Sequence, residues 1–162
     1  MLSDRMIRII ECRAEELTQG AVKRLQSSPH TRAYHGLSPD ELHHRLFEVY
    51  HDLGRWLLKN TDHTIHAWYD ELGEQRFKEG IPLPEVLWAL VLKKDHLKED
   101  VSTSMLADSP LELHREQELY RLIGHFFDRA ACYAAEAYER EASLRREHAV
   151  ATMARCGAQA IT

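Results

Sequence analysis

Histidine and the acidic residues are the side chains of this sequence best suited to metal chemistry. The chain has 11 histidines and 26 acidic residues among its 162 residues, and helical bundles hold metal ions with such side chains. The pairs Glu41/His44 and Glu48/His51 have Glu-x-x-His spacing, but both fall on one predicted helix. A di-iron centre needs ligands from different helices. We therefore expect no metal site, and a metal-dependent helical-bundle enzyme remains an alternative.

Three histidines, His66, His96 and His125, lie in predicted helices and are the candidates for a haem ligand. Four charged residues surround His96 in the sequence: Lys93, Lys94, Asp95 and Lys98. This charge favours a surface position for His96. A haem-binding or small-ligand-binding sensor is nevertheless kept as the second interpretation.

Glycine spacing excludes the phosphate-binding loops. No two glycines lie closer than seven residues, so neither a P-loop nor a GxGxxG motif is present. The sequence also lacks a GxSxG nucleophile motif. We assign no catalytic, cofactor-binding or metal-binding residue and expect no enzymatic activity and no cofactor.

Charge and cysteine usage restrict the partners and the compartment. The net charge of −5 disfavours binding to nucleic acid or to an anionic membrane. The longest apolar run, 86–92, has seven residues, whereas a membrane span needs about 20. Cys12, Cys132 and Cys156 are odd in number and widely spaced, which favours a reducing cytoplasm over a disulfide framework.

The five prolines fall between segments of helical periodicity and predict an all-α fold of five helices. The predicted helices cover approximately 3–25, 38–57, 62–80, 84–101 and 110–148. Ser38-Pro39-Asp40-Glu41 and Ser109-Pro110-Leu111-Glu112 have the pattern of helix N-termini, and Gly80 suits a C-terminal cap. We expect one domain over 1–148, followed over 149–162 by a frayed tail or the start of a linker.

Two predicted helices carry the patterns that define the core. The fourth helix has these expected core residues: Val86, Leu87, Leu90, Val91, Leu97 and Val101. The fifth and longest helix has this expected core stripe: Leu119, Ile123, Phe126, Ala130, Tyr133 and Ala137. The 3–4 residue spacing in both sets is that of one helical face.

The fifth helix also has a second apolar stripe, which lies beside the first on the helix surface: Tyr120, Phe127, Ala131, Ala134 and Tyr138. One core contact needs an apolar stripe only a little wider than 100°, so the second stripe predicts a homodimer interface. The alanines along it would allow close approach of the partner helix. The alternative is that one thick monomeric core covers both stripes.

Three segments together resemble a known family. The first is the Ser-Pro-Asp-Glu-Leu start of the second helix, and the second is 69–90, with the sequence YDELGEQRF…EGIPLPEVLWAL. The third is the fifth helix, with LYRL at 119–122 and FFDRA at 126–130. Over about 7–141 the chain resembles the N-terminal sensory domain of the stressosome co-antagonist RsbR and RsbRD family, a module that also precedes some bacterial histidine kinases.

This resemblance implies a globin-like bundle without haem, a homodimer and a sensory role in stress-response or two-component signalling. It transfers no catalytic residue. It also implies a downstream signalling protein or a fused output domain as partner. We therefore expect a non-enzymatic signalling module that passes a signal through its C-terminal helix.

Overall fold

A computed structural model of the chain describes residues 2–59, 61–104 and 108–159. The α-helices in these ranges are α1 (Leu2–Cys12), α2 (Ala14–Ser27), α3 (Pro39–His51), α4 (Asp62–Lys78), α5 (Leu83–Ser104) and α6 (Pro110–Gln159). A short 3₁₀ turn (Arg32–Tyr34) precedes α3, and a π-helical turn (Arg55–Lys59) follows it. The predicted all-α class is confirmed, and the described chain divides into more helices than the five predicted.

The first predicted helix, 3–25, is divided at Arg13 into α1 and α2. The Arg13 backbone has φ −104° and ψ 14°, and its N–H donates to the Ile10 carbonyl at 2.9 Å, three residues back instead of four. The Arg13 side chain forms ion pairs with Glu16 at 3.1 Å and with Asp100 of α5 at 2.9 Å. No glycine or proline marks this break, so helix-breaking residues do not reveal it in the sequence.

The predicted helix termini are confirmed where the side chains that cap them are described. Ser38 Oγ accepts the Glu41 backbone N–H at 3.2 Å, and Ser109 Oγ accepts that of Glu112 at 3.2 Å. These bonds satisfy N–H groups that have no partner within the helix. Gly80 has φ +74°, in the left-handed region that favours glycine after a helix.

The π-helical turn lies where the predicted second helix approaches α1. The Gly54 N–H donates to Glu11 Oε1 at 2.7 Å. A Cβ on Gly54 would lie 3.1 Å from both this oxygen and Ile7 Cγ2. The Glu11 carboxylate thus accepts a backbone N–H next to the π-helical turn. Because Glu11 lies on α1, this hydrogen bond fixes the position of the chain after α3 relative to α1.

Packing places α6 against α4 and α5, while α2 packs against α3 and α5. The helix α1 contacts α3 and α6. One apolar core joins these elements, and the largest side chains buried within it include Tyr50, Tyr69, Phe127, Ile10 and Leu25. The α6 core stripe is buried as predicted except at Tyr133, which is half-buried and donates its hydroxyl to Asp62 at 2.8 Å.

The core face of α5 differs from the predicted one. Val86, Leu90, Leu97 and Val101 are buried as expected. Leu87 and Val91, which we expected in the core, are half-exposed and line an apolar surface with Leu83, Pro84 and Trp88. The core position between Leu90 and Leu97 is instead taken by Lys93, which is 4% exposed.

Membrane insertion is not indicated by the described helices. Among them, no helix combines the length and the apolar character required to cross a bilayer.

Candidate functional site

The predicted dimer interface on α6 is occupied by the chain itself. Phe127 and Ala134 are buried within the single chain, at 2% and 0% exposure. Tyr138 donates its hydroxyl to the Ile81 carbonyl at 2.7 Å, and Tyr120 donates to Glu116 at 2.8 Å. Ala131 is half-buried against the core. Phe127 and Ala134 thus have no surface for a second copy in this packing, as in the thick-core alternative. Tyr120, Ala131 and Tyr138 are half-buried, and the homodimer stays a prediction.

Close helix approach, the reason for predicting that interface, is used within the chain. A Cβ built on Gly73 of α4 would lie 2.3 Å from the Ala134 carbonyl oxygen and 2.9 Å from Ala137 Cβ. Small residues on both helices therefore bring the α4 and α6 backbones together. The alanine pattern correctly predicted a neighbouring helix, but that helix is α4 and not a partner subunit.

The C-terminal part of α6 extends away from the core, and its last contact with the body that the structure shows is that of the Arg145 guanidinium over the Phe77 ring, at 5.9 Å. The helix continues beyond 148, the end predicted from the sequence, to Gln159. Every residue over 144–158 is exposed. The large apolar side chains here are Leu144, Val150 and Met153, which are 42%, 67% and 74% exposed, respectively.

The haem candidates occupy three different environments. His96 is half-buried, its Nε2 lies 3.0 Å from the Leu17 carbonyl, and its Nδ1 is buried without a partner. Burial lowers its pKa. His66 is half-buried and its ring contacts Tyr133 at 4.5 Å between centroids, while His125 is exposed on α6. Within the described residues, no group of three or more His, Cys, Asp or Glu side chains could hold a metal ion.

A small cavity with a basic lining lies between the 3₁₀ turn, α3, α4 and α5. Its volume is about 30 Å³, and its polar lining residues are Tyr34, Arg45, Arg76 and Lys93. The remainder of the lining is apolar: Leu25, Leu42, Leu46, Leu72, Val86, Ala89 and Leu90. The two most enclosed cations are Lys93, 4% exposed, and Arg76, 6% exposed. Ionised side chains are rarely buried to this extent without a partner.

Glu79 joins the two arginines at this cavity. Its Oε2 accepts from Arg76 and from Arg45 at 3.0 Å each, and its Oε1 accepts from Arg45 at 3.0 Å. Arg45 also binds Glu41 at 2.5 Å. Both guanidinium groups therefore have carboxylate partners, and the Glu41 carboxylate, 46% exposed, lies toward solvent.

Lys93 has no comparable partner. Its backbone carbonyl accepts the Tyr50 hydroxyl at 3.2 Å, and no carboxylate among the described residues offsets the cost of burying its ammonium group. Burial, reinforced by the charge of Arg76, lowers the pKa of Lys93 to about 8. Burial also raises the pKa of Tyr34 to about 12, so its hydroxyl remains protonated at neutral pH.

Helical phase is the signal by which the sequence could have revealed this cavity. Lys93 lies three residues after Leu90 and four before Leu97, on the buried face of α5, and Arg76 lies three after Gly73 on α4. The charge of Lys93 bears on the predicted surface position of His96, but the helical position of Lys93 itself is that of a core residue.

Comparison with known proteins gives no relative: no family model, no curated protein and no solved structure matches this chain.

Proposed function

We propose that this chain is a non-enzymatic bacterial sensory module, in which α6 transmits a change in the helical body to a downstream signalling protein or a fused output domain. The observation that supports this proposal most directly is the course of α6. From Leu119 to Ala137 its inner face is packed in the core, whereas over 144–158 it is fully exposed. One continuous helix of 50 residues thus belongs to both regions.

Helix rigidity makes such a connection effective. At 1.5 Å per residue, α6 is about 75 Å long. A displacement of α4 or α5 acts on the buried half of α6 through close contacts, and a stiff rod carries it to the exposed half. The Gly73–Ala134 contact is the tightest of these, since it leaves no room for a Cβ.

A homodimer formed by the exposed part of α6 belongs to the same proposal. Over 149–158 the sequence AVATMARCGA has one charged residue, Arg155. Val150 and Met153 lie three residues apart and are 67% and 74% exposed, so they share one helical face. Pairing two such helices would bury this face and bring two output segments together.

A cytoplasmic location suits the cysteines. Cys12, Cys132 and Cys156 are all exposed and unpaired. Exposed free thiols are compatible with a reducing compartment and would oxidise outside one.

Cys156 provides a direct test of the proposal, because it lies on the exposed part of α6. A spin label would be attached to Cys156 in a Cys12→Ser/Cys132→Ser variant, and the dipolar coupling between labels measured. We expect a defined distance between two labels, since a homodimer carries two. Introducing Gly73→Ala, which forces α4 and α6 apart, should change that distance distribution.

Gly124→Ala is the matched control. Gly124 also lies within a helix, but a Cβ there would meet only Lys98 Nζ at 3.7 Å, an ordinary contact. This variant should leave the distance between the labels unchanged. Absence of dipolar coupling, or a distance that does not respond to Gly73→Ala, would refute the relay through a dimer.

The second candidate, a sensor of a small ligand, is favoured by the cavity beside Lys93. Its small volume and basic lining suit a small ligand and not a haem.

A further inference from the structure

The cavity beside Lys93 combines three properties: a lysine that is 4% exposed, two arginines in the same lining and a small empty volume. We propose that this cavity is a carbon dioxide site, in which Lys93 Nζ forms a carbamate that Arg76 binds. The inference does not depend on the relay through α6, because it concerns a covalent modification that can be measured on the chain itself.

Lys93 is distinguished from its neighbour by its surroundings. Lys94 is half-buried and forms an ion pair with Asp128 at 3.2 Å. For Lys93, no carboxylate among the described side chains offsets the effects of burial and of the Arg76 charge. With a pKa of about 8, it is neutral in about a quarter of the molecules at pH 7.5. The neutral amine is the form that reacts.

The reaction is redox-neutral and needs only carbon dioxide. The lone pair of the neutral Nζ attacks the carbon of CO₂, and an N–C bond forms. One C=O electron pair moves onto oxygen, and one proton leaves Nζ to water or buffer. The product is a carbamate with one negative charge, so the lysine changes from a neutral or cationic group to an anionic one.

Local electrostatics favour this product. The enclosed charges are those of Arg45 and Arg76, with side chains 15% and 7% exposed, and of Glu79, 28% exposed. Glu41 and Glu79 pair with these two guanidinium groups, so a Lys93 ammonium would be an additional cation without a carboxylate of its own. The charge of Arg76 disfavours that ammonium, whereas it would attract a carbamate. Charge-assisted hydrogen bonds between guanidinium and carboxylate groups are among the strongest in proteins.

The size and the remaining polar lining of the cavity also agree with this ligand. Its volume of about 30 Å³ exceeds the roughly 10–15 Å³ that a cavity needs to hold one water molecule, which suits a group as small as CO₂. Tyr34 lines the same cavity, and its hydroxyl, which forms a hydrogen bond with Arg76, stays protonated because burial raises its pKa to about 12. It can therefore donate a hydrogen bond to a carbamate oxygen.

Two measurements on the full chain test the proposal. In ¹³C-bicarbonate buffer equilibrated with CO₂ at pH 7.5, ¹³C NMR should show a protein-bound carbamate signal besides those of CO₂ and bicarbonate. Alkylation of the carbamate oxygen with triethyloxonium, followed by peptide mass spectrometry, should place an ethyl carbamate on Lys93. The second measurement locates the site on the unaltered protein and so does not depend on the folding of a variant.

Variants then separate Lys93 from the other lysines. Lys93→Met should abolish the signal, and Lys94→Arg should leave it unchanged. Arg76→Gln should lower the carbamate population about tenfold at fixed CO₂, because one charge-assisted hydrogen bond is lost. Three results would overturn the proposal: no carbamate on the wild-type chain, equal labelling of Lys94, or ¹³C-bicarbonate bound without an adduct on Lys93. None of these outcomes bears on the distance between Cys156 labels, which tests the relay.

Discussion

At the residue scale, Lys93 shows how burial converts a common surface residue into a reactive one. An ammonium group that leaves water without a counter-ion is unfavourable, and the fold reduces that cost by shifting the lysine toward its neutral form. Its methylene groups meanwhile fill the core position between Leu90 and Leu97 on α5. A lysine at this core position thus lowers the stability of the fold and supplies a nucleophile.

The buried lysine predicts a specific dependence of stability on pH. The Lys93 pKa falls from 10.5 in an unperturbed chain to about 8 in the fold. The unfolded chain therefore binds more protons between these two values, so this residue makes the free energy of unfolding rise with pH across that window. Below pH 8 the fold carries the full cost of the buried ammonium.

Lys93→Met removes this contribution and makes it measurable. The free energy of unfolding of the variant should exceed that of the wild type by the largest amount below pH 8. This excess should then decrease by about 3 kcal/mol as the pH rises to 10.5. Urea unfolding in CO₂-free buffers would measure it, and tyrosine ionisation cancels in the difference. A difference independent of pH would mean that Lys93 is solvated.

Glu11 gives a second prediction at this scale. Its carboxylate accepts the half-buried Gly54 N–H at 2.7 Å, so Glu11→Ala leaves a backbone donor without its partner. We expect a loss of about 1–3 kcal/mol in the free energy of unfolding. Glu16→Ala is the control, because Glu16 is 71% exposed and loses only a surface ion pair with Arg13, worth about 0–1 kcal/mol. Equal losses in urea unfolding would contradict the role given to Glu11.

At the element scale, local chemistry predicted helix ends better than helix breaks. Ser38 and Ser109 accept backbone N–H groups as their sequence context indicated, and Thr61 does the same at the start of α4, because capping depends only on residues three or four positions apart. The break at Arg13 depends instead on contacts with a distant helix, including Asp100. A pattern confined to neighbouring residues cannot contain that information.

The crossing of α4 and α6 gives the prediction at this scale. Gly73→Ala places a Cβ 2.3 Å from the Ala134 carbonyl oxygen, and backbone atoms cannot rotate away as a side chain can. We expect a loss of about 1–3 kcal/mol in the free energy of unfolding from overpacking, although alanine is the better helix former. Thermal or urea unfolding measures the effect.

Gly124→Ala isolates the intrinsic helix preference, since its Cβ meets only Lys98 Nζ at 3.7 Å. Here alanine should stabilise the chain by about 0.5–1 kcal/mol. Opposite signs for the two variants are the expected result. A stabilising effect at Gly73 would show that α4 and α6 are farther apart than described.

At the scale of the whole molecule, the core covers residues of α6 that the sequence assigns to a dimer interface, Phe127 and Ala134. A helix with apolar residues on two adjacent stripes can contact a partner subunit or be surrounded by its own chain, and its sequence is the same in both cases. Here α4 and α5 cover both stripes, with Ala134 against Gly73. The buried stripes of α6 could be predicted from spacing, but the identity of the covering helix could not.

The same limit applies to the cavity. Tyr34, Arg45, Arg76 and Lys93 come from four elements that lie far apart in the sequence. Their positions on helix faces are readable from spacing, but their convergence requires the packing of α3, α4 and α5. A candidate site of this kind becomes visible only in the assembled bundle.

The exposed end of α6 carries the prediction for the whole assembly. Met153 is 74% exposed in the single chain, so replacing it with glutamate removes no contact within the body. If Met153 and Val150 form the dimer seam, Met153→Glu places a charge in an apolar contact, where burial without a partner is costly. We expect a dimeric wild type and a variant that dissociates at higher protein concentration, with an unchanged melting temperature of the helical body.

Thr152→Glu is the matched control for this prediction, because it adds the same charge one position away, on another face of the helix. Thr152 is exposed and its hydroxyl donates to the His148 carbonyl of its own helix at 2.9 Å, so no partner contact depends on it. Light scattering during gel filtration over a range of concentrations would separate the three proteins. A monomeric wild type, or equal effects of Met153→Glu and Thr152→Glu, would show that the end of α6 does not pair two copies through this face.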